Sequence, residues 1–319
     1  MKILITGACG FIGYHLSKKL LLNKKYKIFG IDNFDNYYSI KLKKKRLINL
    51  KKIKNFSFKK IDIKNIKLLD NYFNKKKFDI IFHLAAQAGV RYSIKNPKKY
   101  VENNILGFFN LLEASKKNKV KKIFYASSSS VYGDSNLFPL KENQLLRAKN
   151  LYSLSKEFNE NLSAVYSKFN NLNLIGLRFF TAYGEWGRPD MMMMKYILAK
   201  KTKSKFYLYN YGNHSRDFTY IDDLTSILKK MILIKYKKKH DIFNICSSKP
   251  IKITNVLKLI DKYLNNKVII KKVSLQQADV IKTFGSNSKI IKLTKFKKFT
   301  PLNVGIKNLC KWAKEFYKI

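Results

Sequence analysis

The sequence predicts an α/β fold, a doubly wound parallel sheet with helices on both faces and a smaller C-terminal domain. Short apolar runs alternate with amphipathic segments along most of the chain. A glycine-rich turn directly follows the first of these runs. The chain has 319 residues and is 46% apolar, so it is long enough and apolar enough to bury a large core.

Seven apolar runs have the length and composition of buried strands. Six of them are expected in the main sheet and the seventh at one edge. They cover residues 2–6, 27–31, 56–61, 79–85, 121–127, 172–178 and, at the edge, 242–246. Ligands bind across the carboxyl ends of the strands in such sheets, so we expect the functional site there.

The first strand is followed at once by Gly7, Gly10 and Gly13, and then by an amphipathic segment. The first glycine makes the turn, the second lets backbone approach a pyrophosphate, and the third lets the helix pack on the strand. The same loop supplies Phe11 and Ile12. Although this glycine spacing differs from the commonest one, its strand-turn-helix context predicts a Rossmann-type dinucleotide site.

The second strand leads into Asp32, about 20 residues beyond the glycine turn. At that position a carboxylate can accept hydrogen bonds from an adenosine ribose. The same carboxylate would repel a 2'-phosphate, so NAD is favoured over NADP. A plain turn residue is the alternative interpretation.

Tyr152 and Lys156 stand four residues apart in a segment, residues 150–163, that is predicted to be helical. On a helix this spacing puts the phenol and the ammonium on one face. We expect the lysine charge to lower the pKa of the phenol toward a value useful for proton transfer. Such pairs also arise by chance in a lysine-rich chain with 20 tyrosines, so the pair gains its weight from the glycine turn.

Further motifs follow in order: Asp62-Ile63 after the third strand, residues 83–87 after the fourth, and the serine run 127–130 before Tyr152 and Lys156. Together they resemble the extended short-chain dehydrogenases/reductases that act on nucleotide sugars. Four segments more narrowly resemble the bacterial UDP-glucuronate 4-epimerases: residues 86–93, 178–184, 186–191 and 216–223. The resemblance covers nearly the whole chain and weakens after about residue 250.

The resemblance implies a Rossmann-type NAD-binding domain, residues 1–178 plus 218–248, and a substrate-binding part, residues 179–217 plus 249–319. It implies a tightly bound, recycled NAD and a UDP-sugar substrate. The implied cofactor-binding residues are Gly7, Gly10, Phe11, Ile12, Gly13, Asp32, Asp62, Ile63, Leu84, Ala85, Ala86, Gln87, Tyr152 and Lys156. The implied substrate-binding residues are Arg91, Ser128, Thr181, Arg188, Arg216 and Asp279.

The resemblance also implies the roles of the catalytic residues. Tyr152 is expected to take the proton of a sugar 4-hydroxyl while hydride leaves C4 for NAD, and Lys156 to bind the nicotinamide ribose. Ser128 would hydrogen-bond the reacting oxygen. Thr181 and Arg188 would hold the carboxylate of a uronic acid, while Arg216 would bind the diphosphate.

Other activities occur in the same family, and the residues after Ser128 distinguish some of them from a 4-epimerase. A sugar 4,6-dehydratase of the family carries Asp-Glu after its catalytic Ser/Thr, and the decarboxylating relatives carry a glutamate at the second position. Here those positions are Ser129 and Ser130, which disfavours both the dehydratase and the decarboxylating activity. UDP-glucose 4-epimerase needs the same tyrosine, lysine and serine and stays an alternative. A non-catalytic NAD-sensing or RNA-binding protein is the alternative from another class.

The formal net charge of +46 suggests a nucleic-acid partner, but the lysines are spread in short runs without a basic tail or nucleic-acid motif. We therefore expect no specific nucleic acid, and no membrane partner, because no apolar run approaches about 20 residues.

Three scattered cysteines predict neither disulfides nor a metal site and favour a reducing cytoplasm. The apolar faces near residues 100–117 and 151–169 fit a homodimer, as the family implies.

Several features depart from the family pattern, including residues 147–150, which lack the family's proline and serine, and Gly285-Ser286, which replaces Ala-Asp. Glu185 replaces the proline usual before Trp186, and the string 191–194 consists of four methionines near the expected substrate mouth. Methionine fills irregular gaps, so core packing is the simpler interpretation of that string. Ala278 stands where glycine is usual, which puts contacts to uridine there in doubt.

Overall fold

The structure is a computed structural model that describes residues 1–265, 267–277 and 279–319. Its strands are β1 (Lys2–Thr6), β2 (Lys27–Asp32), β3 (Phe56–Lys60), β4 (Ile80–His83), β5 (Lys122–Ser128), β6 (Asn173–Phe179), β7 (Thr181–Tyr183), β8 (Lys205–Tyr209), β9 (Ser215–Tyr220), β10 (His240–Ile245), β11 (Pro250–Lys252) and β12 (Ile269–Val273). Seven of them form one parallel sheet in the order β10-β6-β5-β4-β1-β2-β3. This confirms the predicted doubly wound fold, with β10 at an edge.

The α-helices flank the sheets and alternate with the strands of the main sheet. They are α1 (Phe11–Leu21), α2 (Ile40–Lys51), α3 (Ile66–Lys76), α4 (Val90–Lys95), α5 (Pro97–Tyr100), α6 (Gly107–Lys117), α7 (Leu151–Asn170), α8 (Met192–Thr202), α9 (Ile221–Met231), α10 (Ile253–Tyr263), α11 (Ser288–Thr294) and α12 (Leu302–Tyr317). A wide π-type helical turn, Val101–Leu106, joins α5 to α6 and makes one long helical segment.

The central strands of the main sheet are buried on both faces, because helices cover both sides and successive side chains point alternately to each side. Ile3 and Ile5 of β1 belong to one apolar cluster, and Leu4 belongs to the other. The same alternation places Phe82 of β4 on the first side and Ile81 on the second. A strand that is buried on both faces requires a nearly continuous apolar run. These runs made the strands predictable from the sequence.

The predicted strand 79–85 is longer than the observed β4, which ends at His83. The chain leaves the sheet here because the Ala85 N–H is bound by a side chain, the Thr6 hydroxyl, at 3.1 Å. Gly7 lies against the same segment, since a Cβ on Gly7 would be 2.8 Å from the Ala85 nitrogen. The tip of β4 thereby becomes part of the wall of a cleft.

Two smaller sheets lie outside the main one. One has the order β11-β9-β7, and in the other β12 pairs with β8. Most of these strands lie in the predicted substrate-binding part, and that division into two parts stays a prediction. Within the described residues, no helix is long and apolar enough to cross a membrane. The same residues contain no cluster of three metal-binding side chains.

Candidate active site

A cleft of about 350 Å³ lies at the carboxyl ends of the main-sheet strands, where the parallel topology predicts a ligand site. Its lining includes most of the predicted site residues, contributed by several strands and loops. These are Gly7, Gly10, Phe11, Ile12, Gly13, Asp32, Ile63, Leu84, Ala85, Ala86, Gln87, Ser128, Tyr152, Lys156, Thr181 and Arg188.

The glycine turn has the close packing that its motif predicts. Gly7 has φ +67°, a left-handed conformation that favours glycine, and it starts the turn. A Cβ on Gly13 would lie 2.2 Å from the Gly7 carbonyl oxygen, so the first turn of α1 packs directly on the loop. The turn therefore leaves an open cradle for a diphosphate at the N-terminus of α1.

Asp32 ends β2 with its carboxylate fixed by the backbone. Oδ2 accepts the N–H of Cys9 at 3.1 Å, and Oδ1 accepts the N–H of Phe34 at 2.8 Å. Burial raises the pKa of Asp32, while the nearby Lys43 ammonium opposes that shift. The carboxylate thus faces the cleft in a fixed position where a ribose can donate to it.

The catalytic candidates meet on one wall of the cleft. Helix α7 begins after Asn150, whose side chain accepts the Ser153 N–H at 3.0 Å. This N-cap places Tyr152 and Lys156 in the first two turns. Ser128, at the end of β5, lines the same cleft, and its hydroxyl favours a lower pKa of the Tyr152 phenol. The sequence motif therefore brings a phenol, an ammonium and a hydroxyl into one site.

The pKa of Tyr152 is raised rather than lowered, so that expectation from the sequence was wrong for the protein by itself. Burial is the largest cause, and the Ser128 hydrogen bond and the Arg188 charge oppose it. The Lys156 ammonium donates to the Ala126 carbonyl at 2.9 Å and lies 6.0 Å from the centre of the Tyr152 ring. Burial lowers the pKa of Lys156 to about 8.

A buried hydrogen-bond network supports this wall from behind. Arg178 of β6 donates from Nε and Nη2 to the Glu160 carboxylate at 2.9 and 2.7 Å, and from Nη1 to the Tyr132 hydroxyl at 2.8 Å. Glu160 also accepts the hydroxyl of Ser127, the residue before Ser128. Arg178 therefore anchors β5, β6 and α7 to one another.

Thr181 and Arg188 also line the cleft, from the segment that follows β6 and contains β7. The Arg188 charge acts on the Tyr152 phenol. Arg188 makes a bidentate pair with Asp190, at 3.0 Å from Nε and 2.5 Å from Nη2. Asp190 in turn accepts the Tyr37 hydroxyl at 3.1 Å. The predicted carboxylate-binding arginine thus already has an acidic partner in the chain.

Three predicted substrate-binding residues form a second cluster. Arg91 pairs with Asp279 through two bonds of 3.1 and 2.6 Å and lies 3.8 Å from the centre of the Tyr209 ring. Arg216 donates to the carbonyls of Val280 and of residue 281. Burial lowers the pKa of Arg216 to about 10. The cluster brings two guanidinium groups and one carboxylate together.

Asp62 is placed one step back from the cleft. Its Oδ2 accepts the Asn33 side-chain amide at 3.1 Å, and its Oδ1 accepts the backbone N–H of Lys64 at 2.9 Å. Asn33 and Ile63 themselves line the cleft. Asp62 therefore does not line the cleft itself, but it holds Asn33, which does.

A sequence model of the NAD dependent epimerase/dehydratase family matches residues 3–246 of the chain. That span contains the glycine turn, the serine run, Tyr152 and Lys156. The chain belongs to this family.

Relatives of this epimerase/dehydratase family protein extend the match over the whole chain. An uncharacterised protein of Methanocaldococcus jannaschii is 42% identical over 98% of this chain and 96% of its own length. UDP-glucuronate 4-epimerase 2 of Arabidopsis thaliana is 36% identical over 100% of this chain and 77% of its own. A crystal structure of UDP-glucuronic acid 4-epimerase from Bacillus cereus, with UDP-glucuronic acid and NAD, matches with a TM-score of 0.94 at 31% identity, covering 99% of this chain and 100% of that one.

Several residues that line this family member's cleft lie outside the recognised motifs. Lys43, Tyr37 and Asn103 line it, although none belongs to a motif that was recognised. Lys43 donates to the Asp35 carbonyl at 2.6 Å, which holds its ammonium near Asp32. These three residues come from the loop before α2, from α2 and from the turn between α5 and α6. Tertiary packing brings them to the cleft, and no local sequence signal marks them.

The departures from the pattern of the epimerase/dehydratase family have different outcomes. Glu185 accepts the Tyr220 hydroxyl on both carboxylate oxygens, each at 2.9 Å. Met193 and Met194 are buried in the core, as the packing interpretation expects, whereas Met191 lines the cleft. Ala278 lies outside the described residues.

Proposed function

We propose that this protein is an NAD-dependent UDP-sugar 4-epimerase that converts UDP-glucuronate to UDP-galacturonate. One observation carries the proposal. A single cleft is lined by the glycine turn, by Tyr152, Lys156 and Ser128, and by Arg188. The match to the Bacillus cereus enzyme over nearly the whole of both chains supports this assignment.

The residues of the cleft fit NAD. The glycine turn lies at the N-terminus of α1, where backbone N–H groups can bind a diphosphate. Gly7 and Gly13 permit this tight turn, because a Cβ at either position would collide with the backbone of Ala85 or of Gly7. The fixed Asp32 carboxylate suits a free ribose diol and disfavours a 2'-phosphate. Bound NAD supplies the hydride acceptor and a positive nicotinamide charge next to the phenol.

Tyr152 acts as the base that takes the proton from the sugar 4-hydroxyl. Ser128 lines the cleft with Tyr152 and favours a lower pKa of the phenol, so its hydroxyl can pass a proton between the sugar oxygen and Tyr152. Lys156 is held by the Ala126 carbonyl at 2.9 Å, with N–H groups left for a ribose. Loss of this proton and of the C4 hydride gives a 4-keto sugar. The sugar then turns, and the hydride returns to its other face.

Arg188 and Thr181 orient the carboxylate of the sugar acid. A 4-keto uronate is a β-keto acid and readily loses CO₂, so the carboxylate must be kept out of the geometry that permits this loss. A guanidinium restrains a carboxylate through two parallel hydrogen bonds. We assign Arg91, Arg216 and Asp279 to the nucleotide end of the substrate, where cationic groups suit a diphosphate.

We further propose a cytoplasmic homodimer. Its interface consists of exposed apolar side chains on two neighbouring helical segments. These are Val101, Leu106 and Phe109 on the first, and Leu154, Phe158 and Val165 on α7. The Phe109 and Tyr166 rings are 6.3 Å apart, so the two stripes adjoin. Three buried, unpaired cysteines suit a reducing compartment.

The decisive experiment incubates the purified protein with UDP-glucuronate and, separately, with UDP-glucose, and follows the products by NMR. We expect UDP-galacturonate to form from the acid. Tyr152→Phe is expected to lower turnover by about a hundredfold or more and to leave UDP and NAD binding intact. Turnover of the neutral sugar alone would reject the carboxylate assignment, and wild-type rates in the variant would reject Tyr152 as the base.

A further inference from the structure

Arg188 lines the cleft with one edge of its guanidinium already used. Asp190 accepts from Nε at 3.0 Å and from Nη2 at 2.5 Å, the side-on arrangement. A guanidinium carries five N–H groups. Two of them bind Asp190 and one can bind the Tyr37 oxygen, so two are left for a ligand. A ligand carboxylate can therefore bind end-on to Arg188 while Asp190 keeps the side-on edge.

Asp190 is itself fixed by its neighbours. The Tyr37 hydroxyl donates to its Oδ2 at 3.1 Å. The Tyr37 ring packs 4.7 Å from that of Tyr92, and a Cβ on Gly89 would lie 2.2 Å from the Tyr37 oxygen. The tyrosine can occupy this place because residue 89 is glycine. The packing of Tyr37 therefore fixes Asp190, and Asp190 fixes Arg188.

The charges of Arg188 and Asp190 balance each other. Burial alone would raise the pKa of Asp190, but the Arg188 charge and the hydrogen bonds from Arg188 and Tyr37 lower it below its ordinary value. Asp190 is therefore ionised at neutral pH. A sugar carboxylate that joins the pair meets a second carboxylate across one guanidinium, so its attraction to Arg188 is partly offset.

We propose that Asp190 sets the specificity and strength of the carboxylate site by keeping Arg188 oriented while weakening its hold on the sugar acid. This rests on the proposed function. Epimerisation requires the 4-keto sugar to turn, and a guanidinium with an unbalanced charge would hold the starting orientation too firmly. Interactions that are equally strong before and during a step bind substrate without accelerating the step.

The binding test uses the Tyr152→Phe background, in which the ligand is not converted. Dissociation constants for UDP-glucuronate and for UDP are measured by calorimetry with and without Asp190→Asn. We expect the acid to bind about tenfold more tightly in the Asn variant and UDP to change by less than about twofold. Unchanged or weaker binding of the acid overturns the proposal. Asp190→Ala removes the same charge and replaces the Asn variant if that protein does not fold.

Two control variants separate the charge of Asp190 from general effects. Asp70→Asn removes one negative charge from the surface, where Asp70 pairs with Lys117 at 3.3 Å, and should leave both dissociation constants unchanged. Tyr37→Phe keeps the charge of Asp190, so it should not tighten binding of the acid. A tenfold tightening in either control overturns the proposal, because the effect would not depend on the Asp190 charge.

The kinetic test restores Tyr152. Asp190→Asn should lower both KM and kcat for UDP-glucuronate, each by about tenfold, and change neither for a neutral UDP-sugar. A raised KM for both sugars would mean a structural role for Asp190 and overturns the proposal. If the wild-type protein does not convert UDP-glucuronate at all, the proposed function fails, and the binding test still decides the role of Asp190.

Discussion

The buried ammonium of Lys156 lowers the folding stability of the protein. Its side chain is 2% exposed, and the Ala126 carbonyl is its hydrogen-bond acceptor. Burial lowers its pKa from 10.5 to about 8. Below pH 8 the folded protein holds a buried ammonium that the unfolded chain would expose to water. The difference in pKa corresponds to about 3 kcal/mol of lost folding stability.

Lys156→Met should therefore stabilise the protein while it abolishes epimerisation. We expect the free energy of unfolding at pH 7 to rise by about 3 kcal/mol, measured by urea denaturation. Between pH 8 and 10.5 the unfolded state keeps its proton while the folded state loses it, so the penalty, and with it the gain of the variant, declines as pH rises. Lys98→Met, at a side chain that is 88% exposed, is the control and should change little. A destabilised Lys156→Met protein would contradict this account.

The sequence predicted many of the residues that line the cleft, but not their environments. Tyr152, Lys156 and Ser128 were found by spacing and order, because a helix and a strand end place such residues predictably. The raised pKa of Tyr152 depends on burial by segments distant in sequence. The pairing of Arg188 with Asp190 likewise depends on the conformation of a loop, which no periodicity reveals.

Helix α7 connects element structure to catalysis, because its first two turns carry Tyr152 and Lys156. Its start is fixed by a reciprocal cap. The Asn150 side chain accepts the Ser153 N–H at 3.0 Å, and the Ser153 hydroxyl accepts the Asn150 N–H at 3.2 Å. Fraying of this end would move the phenol away from Ser128. In the proposed mechanism the cap therefore supports catalysis as well as stability.

Asn150→Ala is expected to cost about 1 kcal/mol of stability and to lower kcat several-fold. Asn65→Ala is a matched control, because Asn65 caps α3 by accepting the Leu68 N–H at 3.0 Å. That variant should lose similar stability and keep its kcat. Thermal unfolding and steady-state rates on UDP-glucuronate measure both quantities. Equal losses of kcat in the two variants would show that the effect is general destabilisation.

The elements of the main sheet were predicted more closely than those of the C-terminal part. Buried parallel strands require long apolar runs, and these survive in a lysine-rich composition. The short β7 and β11 have three residues each and pair in a small sheet with β9, so they carry little periodic signal. Strand β12 is mostly exposed, which removes the apolar pattern altogether. Their pairing depends on tertiary contacts.

The whole molecule combines a net charge of +46 with an exposed apolar stripe. In a homodimer, two strongly positive protomers repel each other, while the stripes on α7 and the preceding helical segment attract through burial of apolar area. Salt screens the repulsion and leaves the apolar attraction in place. Binding to nucleic acid would respond in the opposite direction, because added salt removes the gain from counterion release.

The dimer should accordingly become tighter as salt increases. We expect sedimentation to show a species of about twice 37.5 kDa, with a dissociation constant that falls roughly fivefold between about 50 mM and about 500 mM NaCl. Phe158→Gln should shift the protein toward monomer, since Phe158 is 43% exposed in the stripe. Leu233→Gln, at an exposed leucine outside the stripe, should not. A dimer that dissociates as salt is added would mean that ion pairs, rather than the apolar stripe, hold the protomers together.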